Sequence, residues 1–338
     1  MSAFPRRFAA LCSVVVVAGV LAAAQTPSPA LLYVARDQKP EGVLGIMDSA
    51  TGKTVARVPT GVDPHGLAVS ANGRFAYVAN TNAHNKTRPN GDSISVIDVV
   101  ARKEIRRVEV GEGTRPLHIH AAGGYVYFTA SGYRAVGRYD TARNKVMFFG
   151  HGQHGPHTVI TGKDPNTVFA SNSASNNIAV IEDANTPEWK LSLIPVGDKM
   201  MPEGMAVTPD GKELWAANET GGGPSVINLT TRTVQNVDLR TKHANRVVLT
   251  PDGKRALVID EEGDLIVVDT AARKIIKRLN IPTTAAVVTP DSSRAFVAPV
   301  LNSPDRHIIE IDLNRLEVTR RISTGTDRPS YLAWANPR

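Results

Sequence analysis

The sequence predicts an all-β protein, a seven-bladed β-propeller with four-stranded antiparallel blades. Three observations carry that prediction. A unit of four short, apolar-rich runs recurs, with first-strand starts at Pro64, Pro116, Pro156, Pro202, Ala244, Thr284 and Pro329. Successive starts lie 40 to 52 residues apart, the repeat length of a propeller blade. The chain ends also complement each other: the first unit lacks a first strand, and Pro329–Trp334 is a first strand with no unit after it.

The unit is clearest between Asp63 and Gly111. Pro64–Ser70 alternates apolar and small residues and leads into Asn72-Gly73, a hairpin turn signal. Phe75–Ala79 is a second strand and Asn80–Asp92 a long polar loop. Ser93–Val99 and Glu104–Val110, joined by Val100–Lys103, complete the set. So short a sheet cannot bury both faces alone, and several must stack against one another.

The other units repeat these elements. The turn after the first strand returns as AAGG, GKDPN, TPDG (Thr208–Gly211), TPDG (Thr250–Gly253) and TPDS (Thr289–Ser292). Its Asp-Gly pair suits a tight turn, so these aspartates are structural and sit on the face away from the site discussed below. Second strands return as YVYFTAS, TVFASNS, LWAANET, ALVIDEE and AFVAPV, and third strands as AVGRYDT, IAVIED, PSVINL, LIVVDT and IIEIDL. Leu31–Ala35, Val43–Asp48 and Lys53–Pro59 are then strands two to four of blade one. Pro329–Trp334 supplies its missing strand, which closes the ring and leaves no open ladder there.

The second unit reads Pro64-His65-Gly66-Leu67-Ala68-Val69-Ser70, then Tyr77-Val78-Ala79-Asn80, then Ile94-Ser95-Val96-Ile97-Asp98. In this it resembles the YVTN-type β-propeller repeat proteins, and the resemblance extends from about Leu31 to the end. Blades three, four and seven depart from the pattern at Leu117-His118-Ile119-His120, Gly162–Asn166 and Ser292-Ser293. The resemblance implies a secreted, surface or periplasmic protein. It says little about chemistry, because a fold hosts unrelated sites.

Residues 1–24 carry Arg6-Arg7, an apolar run from Phe8 to Ala23, and Ala22-Ala23-Ala24 before Gln25. That is the pattern of a cleaved export signal, which leaves residues 25–338 as one propeller domain in the periplasm or outside the cell. No later stretch reaches membrane-spanning length. The one cysteine, Cys12, lies in the leader, so the mature chain has no disulfide, thiolate metal site or haem attachment. The formal charge of +7 falls to +5 when Arg6 and Arg7 leave. The basic residues gather in fourth strands, as Lys103, Arg106 and Arg107, as Lys274, Lys277 and Arg278, and as Arg320 and Arg321. Charge on an outer edge discourages edge-to-edge pairing. With few aromatics and no nucleic-acid-reading motif, nucleic acid is not an expected partner. Phosphate-loop, dinucleotide and nucleophile-elbow motifs are absent.

Histidine carries the functional signal. In a propeller, the loops leading into first strands and the loops between second and third strands emerge on one face. Eight of the nine histidines map to that face; only His120 lies further down a strand. The residues just past the strand starts bring His65, His118, His157, Glu203, Asn245 and Arg246 to the channel mouth. Asn80, Asn218, Glu219 and Asp260 map to the same face and join the candidate ligand-binding set. Neutral imidazoles with one carboxylate suit a divalent metal such as zinc, with His65, His157 and Glu203 as ligands. The same group, with protonated histidine and Arg246, also suits an acidic ligand. The solvated-loop alternative applies to His151-Gly-Gln-His154-Gly-Pro-His157, a glycine-rich run with no sequential metal motif. Long loops at Arg36–Gly42, Thr81–Gly91 and Pro299–Arg306 belong to neighbouring blades and would wall one side of the mouth.

Two classes of function follow. The favoured one is an exported binding module whose histidine-rich face holds a small molecule, a glycan or a protein. The alternative is a metal-assisted lactonase or lyase, in which a cation polarises a carbonyl, Glu203 is a ligand and His157 or His65 moves a proton.

Overall fold

The structure is a computed structural model that describes residues 29–35, 42–81, 92–300 and 303–337. The leader at 1–24, His84 and much of the three long loops lie outside the described residues. The described residues form 28 strands in seven four-stranded antiparallel sheets, and no α-helix is found among them. The seven-bladed prediction therefore stands. One start differs: the inner strand of blade seven begins at Thr283, one residue before the expected Thr284.

Burial explains the composition of each strand. Inside the ring both faces of a blade press on neighbours, so a middle strand such as Ser93–Asp98 is buried at every position. An outermost strand has a free edge and alternates, as Thr54–Pro59 does. Second and third strands are accordingly near-continuous apolar runs, whereas fourth strands accept charge. The three tryptophans pack as expected: Trp215 is fully buried, Trp189 meets the edge of Phe149, and Trp334 stacks on Phe296. Two third-strand glycines have a steric reason. A Cβ on Gly45 would fall 2.0 Å from the Tyr33 ring, and one on Gly137 would fall 2.1 Å from Phe128. Each glycine is the direct cross-strand partner of that aromatic residue.

The TPDG turns behave as turns. Thr208 Oγ1 donates to Asp210 Oδ1 at 2.7 Å, and the same oxygen accepts the Lys212 amide at 3.0 Å. Thr250–Asp252 and Thr289–Asp291 repeat the arrangement.

Ring closure follows the expected route. Pro329–Ala335 pairs antiparallel with Ala30–Ala35, so the two ends of the chain share blade one. The preceding turn is fastened by Asp327, which is fully buried. Its carboxylate accepts a 2.9 Å hydrogen bond from the Tyr33 hydroxyl and another of 2.9 Å from Arg57 Nε.

Candidate functional site

Each inner strand carries a bulge at the same place. Pro64 pairs with Asn80 and the next pair is Leu67 with Val78, so His65 and Gly66 leave the ladder. Leu117 and His118, His157 and Thr158, and Glu203 and Gly204 leave it in the same way. In the last three inner strands a single residue is expelled: Asn245, Thr284 and Ser330. A bulge re-aims the side chains it expels, and seven copies around one axis aim theirs at a common centre. The one-residue shift in blade seven puts Thr284, rather than Ala285, at the position equivalent to Asn245.

The expelled residues meet, joined by Arg246 and Tyr331, which directly follow the expelled Asn245 and Ser330. His118 stands between His65 and His157, with ring centroids 5.1 and 4.7 Å away. The Tyr331 hydroxyl is hydrogen bonded to His65, 2.7 Å from Nδ1. The Arg246 guanidinium lies over the Tyr331 ring, 4.7 Å from its centroid. Its Nε donates to the Thr284 carbonyl at 2.7 Å, and Nη1 reaches His118 Nδ1 at 3.4 Å. Asn245 Nδ2 donates to Glu203 Oε2 at 2.8 Å, and Glu203 Oε1 lies 3.7 Å from His157 Nε2. The Thr284 hydroxyl donates to Glu261 Oε1 at 2.7 Å.

Two hydroxyls hold this ring in register. Thr129 Oγ1 accepts the His118 amide at 3.1 Å and donates to the His157 carbonyl of the next blade, also at 3.1 Å. Ser171 Oγ accepts the Thr158 amide at 2.9 Å and donates to the Glu203 carbonyl at 2.6 Å. Each hydroxyl satisfies an amide that the bulge frees and a carbonyl of the adjacent inner strand. Gly66 and Gly204 serve the same close approach. A Cβ on Gly66 would lie 2.7 Å from the Leu117 carbonyl, and one on Gly204 would lie 2.7 Å from the Asn245 carbonyl.

The electrostatics are those of a buried, largely uncharged site. Burial, reinforced by Arg246, His157 and His65, holds the His118 pKa well below the ordinary imidazole value. Burial and then Arg246 push His157 down to about 3. Burial, followed by repulsion from Glu219, pushes Glu203 up to about 8. At neutral pH His118 and His157 are therefore neutral and Glu203 is mostly protonated, so the His157–Glu203 contact is not an ion pair. The positive charge beside His118 and His157 therefore belongs to Arg246, whereas the sequence also allowed protonated histidine.

Tautomers follow from the partners. Arginine only donates, so His118 Nδ1 is the acceptor and Nε2 carries the proton. That Nε2–H is buried with no hydrogen-bond partner among the described residues, and so is Asn245 Oδ1. Buried polar atoms are rarely left so. The two atoms give the centre one spare donor and one spare acceptor beside a guanidinium.

The remaining candidates are distributed differently. Asn80 is fully buried in its own blade, donating to Ser93 and Ser95 and accepting the Gly61 amide. Asn218 is fully buried and donates to the Gly223 carbonyl and Ser225. Asp260 accepts the Lys242 and His243 amides, each at 2.9 Å. These three end their second strands and anchor neighbouring loops. Glu219 lies 3.3 Å from His243. The proposed metal set is divided: His157 and Glu203 are neighbours, whereas His65 faces Tyr331 and His118. Among the described residues no group of three or more His, Cys, Asp or Glu side chains is arranged to hold a metal ion. Tyr331, Thr129 and Ser171 were absent from the candidate set. Tyr331 occupies the same repeat position as His118, a signal the sequence did contain.

Below the ring the channel opens into a chamber of about 180 Å³. A larger, shallower groove of about 650 Å³ lies between Lys53–Arg57 and Ser323–Thr326, on the outer rim and away from the ring.

No protein-family model matches the chain, and no curated protein matches it. Solved structures do. The periplasmic gluconolactonase of Pseudomonas aeruginosa superposes with a TM-score of 0.71 at 15% identity, covering 92% of this chain and 99% of that one. A 6-phosphogluconolactonase-like protein from Bacteroides fragilis gives 0.68 at 16%, covering 93% and 99%. Hydrazine synthase of Kuenenia stuttgartiensis gives 0.62 at 18%, covering 92% and 100%. Proteins named for such different reactions share this ring, so the likeness shows the fold.

Proposed function

We propose that this chain is an exported, YVTN-type propeller that binds a small molecule at the mouth of its central channel. The ligand presents a carbonyl or carboxylate oxygen to Arg246 and His118, and a hydroxyl or amide donor to Asn245. One observation carries the reading: His118 Nε2–H and Asn245 Oδ1 are buried and unpartnered beside a guanidinium. Such atoms cost about 1–3 kcal/mol each when left so, and a ligand that pairs with them recovers that energy. The converging groups sit inside the ring, which favours a small molecule over a protein or glycan surface. The leader pattern at 1–24 supports export.

A second reading is hydrolysis of a lactone. It is supported by Glu203, pushed up to about 8 next to His157, because a group that titrates near working pH can pass protons. The gluconolactonase-like neighbours agree with it only at the level of fold.

Calorimetry on the mature chain tests the first reading, with small carboxylates and lactones as probes. Binding that weakens at least tenfold in both Arg246→Ala and His118→Ala is expected. Absence of binding, or binding indifferent to both changes, overturns it. Hydrolysis of glucono-δ-lactone above its spontaneous rate, lost in Glu203→Gln, would establish the second. Metal content measured before and after chelation checks the cation that the sequence suggested.

A further inference from the structure

We propose that the ligand is amphipathic, with its oxygen head on the His118–Arg246 ring and an apolar tail of about six carbons in the chamber beneath. This rests on the binding reading above and adds the chemical class of the ligand.

The chamber is continuous with the ring, because His118, Arg246 and Tyr331 line both. Below them its walls are Leu67, Ile119, Ile160, Met205, Val248 and Leu332, among other inner-strand residues. Leu67, Ile160, Val248 and Leu332 come from four different blades, and each is only partly buried. Each packs in part between blades and turns its remainder to the lumen. A water-filled channel gains nothing from apolar side chains at these places, whereas polar ones would be solvated at little cost. The chamber also exposes polar surface, from the ring and the strand edges, at least equal to its apolar surface, and a mixed concave lining of this kind suits a ligand with both a polar head and an apolar tail. The size is suitable, because an apolar cavity of about 150 Å³ takes up benzene and this one is about 180 Å³.

The polar groups in the chamber do not favour a polyol. Beneath the ring, to which Thr158 belongs, His120 is the polar side chain of its lining, and its Nε2 is already hydrogen bonded to the Thr161 hydroxyl at 3.1 Å. Burial holds His120 down to about 4, so it brings no charge at neutral pH. The free inner edges of the strands bring backbone groups to the lumen and keep it wettable. The gain per tail carbon is therefore set below full burial, at roughly twofold to fourfold in affinity per methylene.

The test is calorimetry of the full mature chain with the straight-chain carboxylates from acetate to octanoate, with gluconate, and with the γ-lactones from the four-carbon to the eight-carbon member. Hexanoate and gluconate share a carboxylate and a six-carbon chain and differ in the hydroxyls. Affinity that rises along the series, levels off near six carbons, and makes hexanoate at least tenfold tighter than gluconate is the expected result. Val248→Ala, which enlarges the chamber, moves the levelling point to longer chains. Ala286→Leu, which fills it, moves that point to shorter ones. Arg246-dependent binding that is flat along the series, or tighter for gluconate, overturns the amphipathic assignment and leaves the binding reading standing. No binding by any carboxylate or lactone overturns both. The lactone arm decides whether the head is a carboxylate or an uncharged carbonyl.

Discussion

Replacing Glu203 with glutamine keeps the shape and the acceptor for Asn245 and removes the titration. Burial raises the folded pKa to about 8, against 4.5 for the free side chain. Between those values the unfolded chain has lost the proton that the folded chain keeps. Stability from this group is therefore complete below pH 4.5 and is lost as pH rises through 8. One pKa unit corresponds to about 1.4 kcal/mol, so full ionisation costs on the order of 3–5 kcal/mol for a side chain this buried. His157 acts in the opposite sense. Its pKa is pushed down from 6.5 to about 3, so its contribution is complete above 6.5 and lost as pH falls towards 3. Within pH 4.5–6.5 the two slopes cancel, and above 6.5 only the Glu203 loss remains. Urea unfolding of the parent and Glu203→Gln from pH 5 to pH 9 measures this directly. The variant should gain on the parent as pH rises, by several kcal/mol at pH 9. A stability difference that does not change with pH would mean that Glu203 ionises normally, and the neutral His157–Glu203 contact would be wrong.

Four further outcomes follow from the geometry. Thr129→Val and Ser171→Ala each free two backbone groups at the bulges and should cost about 1–3 kcal/mol in unfolding experiments. Both should also weaken ligand binding, which the distant Thr208→Val should not. Gly66→Ala and Gly204→Ala push a Cβ into the neighbouring strand and should each cost roughly 1–3 kcal/mol, read as a lower urea midpoint. Deleting 328–338 removes the closing strand and should lower the melting temperature of the whole ring; an unchanged melt would refute closure through blade one. Asp327→Ala should act in the same direction by about 2–4 kcal/mol, because it takes the carboxylate acceptor from the buried Tyr33 hydroxyl, which then has only the 3.3 Å contact to Thr54, and leaves Arg57 without this partner.

The architecture was legible because it is written locally and many times. Hairpin turns such as Thr208–Gly211, apolar second and third strands, and charged fourth strands each follow from short-range chemistry. Repetition at a blade-length period then gives the number of blades, and the unmatched strand at Pro329 gives the closure. The convergence of His65, His118, His157, Glu203, Asn245 and Arg246 was legible for the same reason, since equivalent positions in a ring share a location. The start of blade seven was misplaced by one residue because Thr283 and Thr284 are identical, and the nearby proline, Pro282, stands one residue before the strand instead of opening it.

Tertiary structure alone decided what those groups are chemically. Charge state depends on burial and on neighbours from other blades, so nothing near His118 in the sequence announces that Arg246 and His157 will help to keep it neutral. Glu203 is protonated at neutral pH because the folded ring removes it from water and Glu219 faces it. The bulge that expels these side chains shows only in the pairing of Pro64 with Asn80 and Leu67 with Val78. Thr129 and Ser171 look like ordinary strand residues until the next blade arrives beside them. Sequence determined which residues stand at each repeat position; packing between blades determined their protons, their partners and the chamber they enclose.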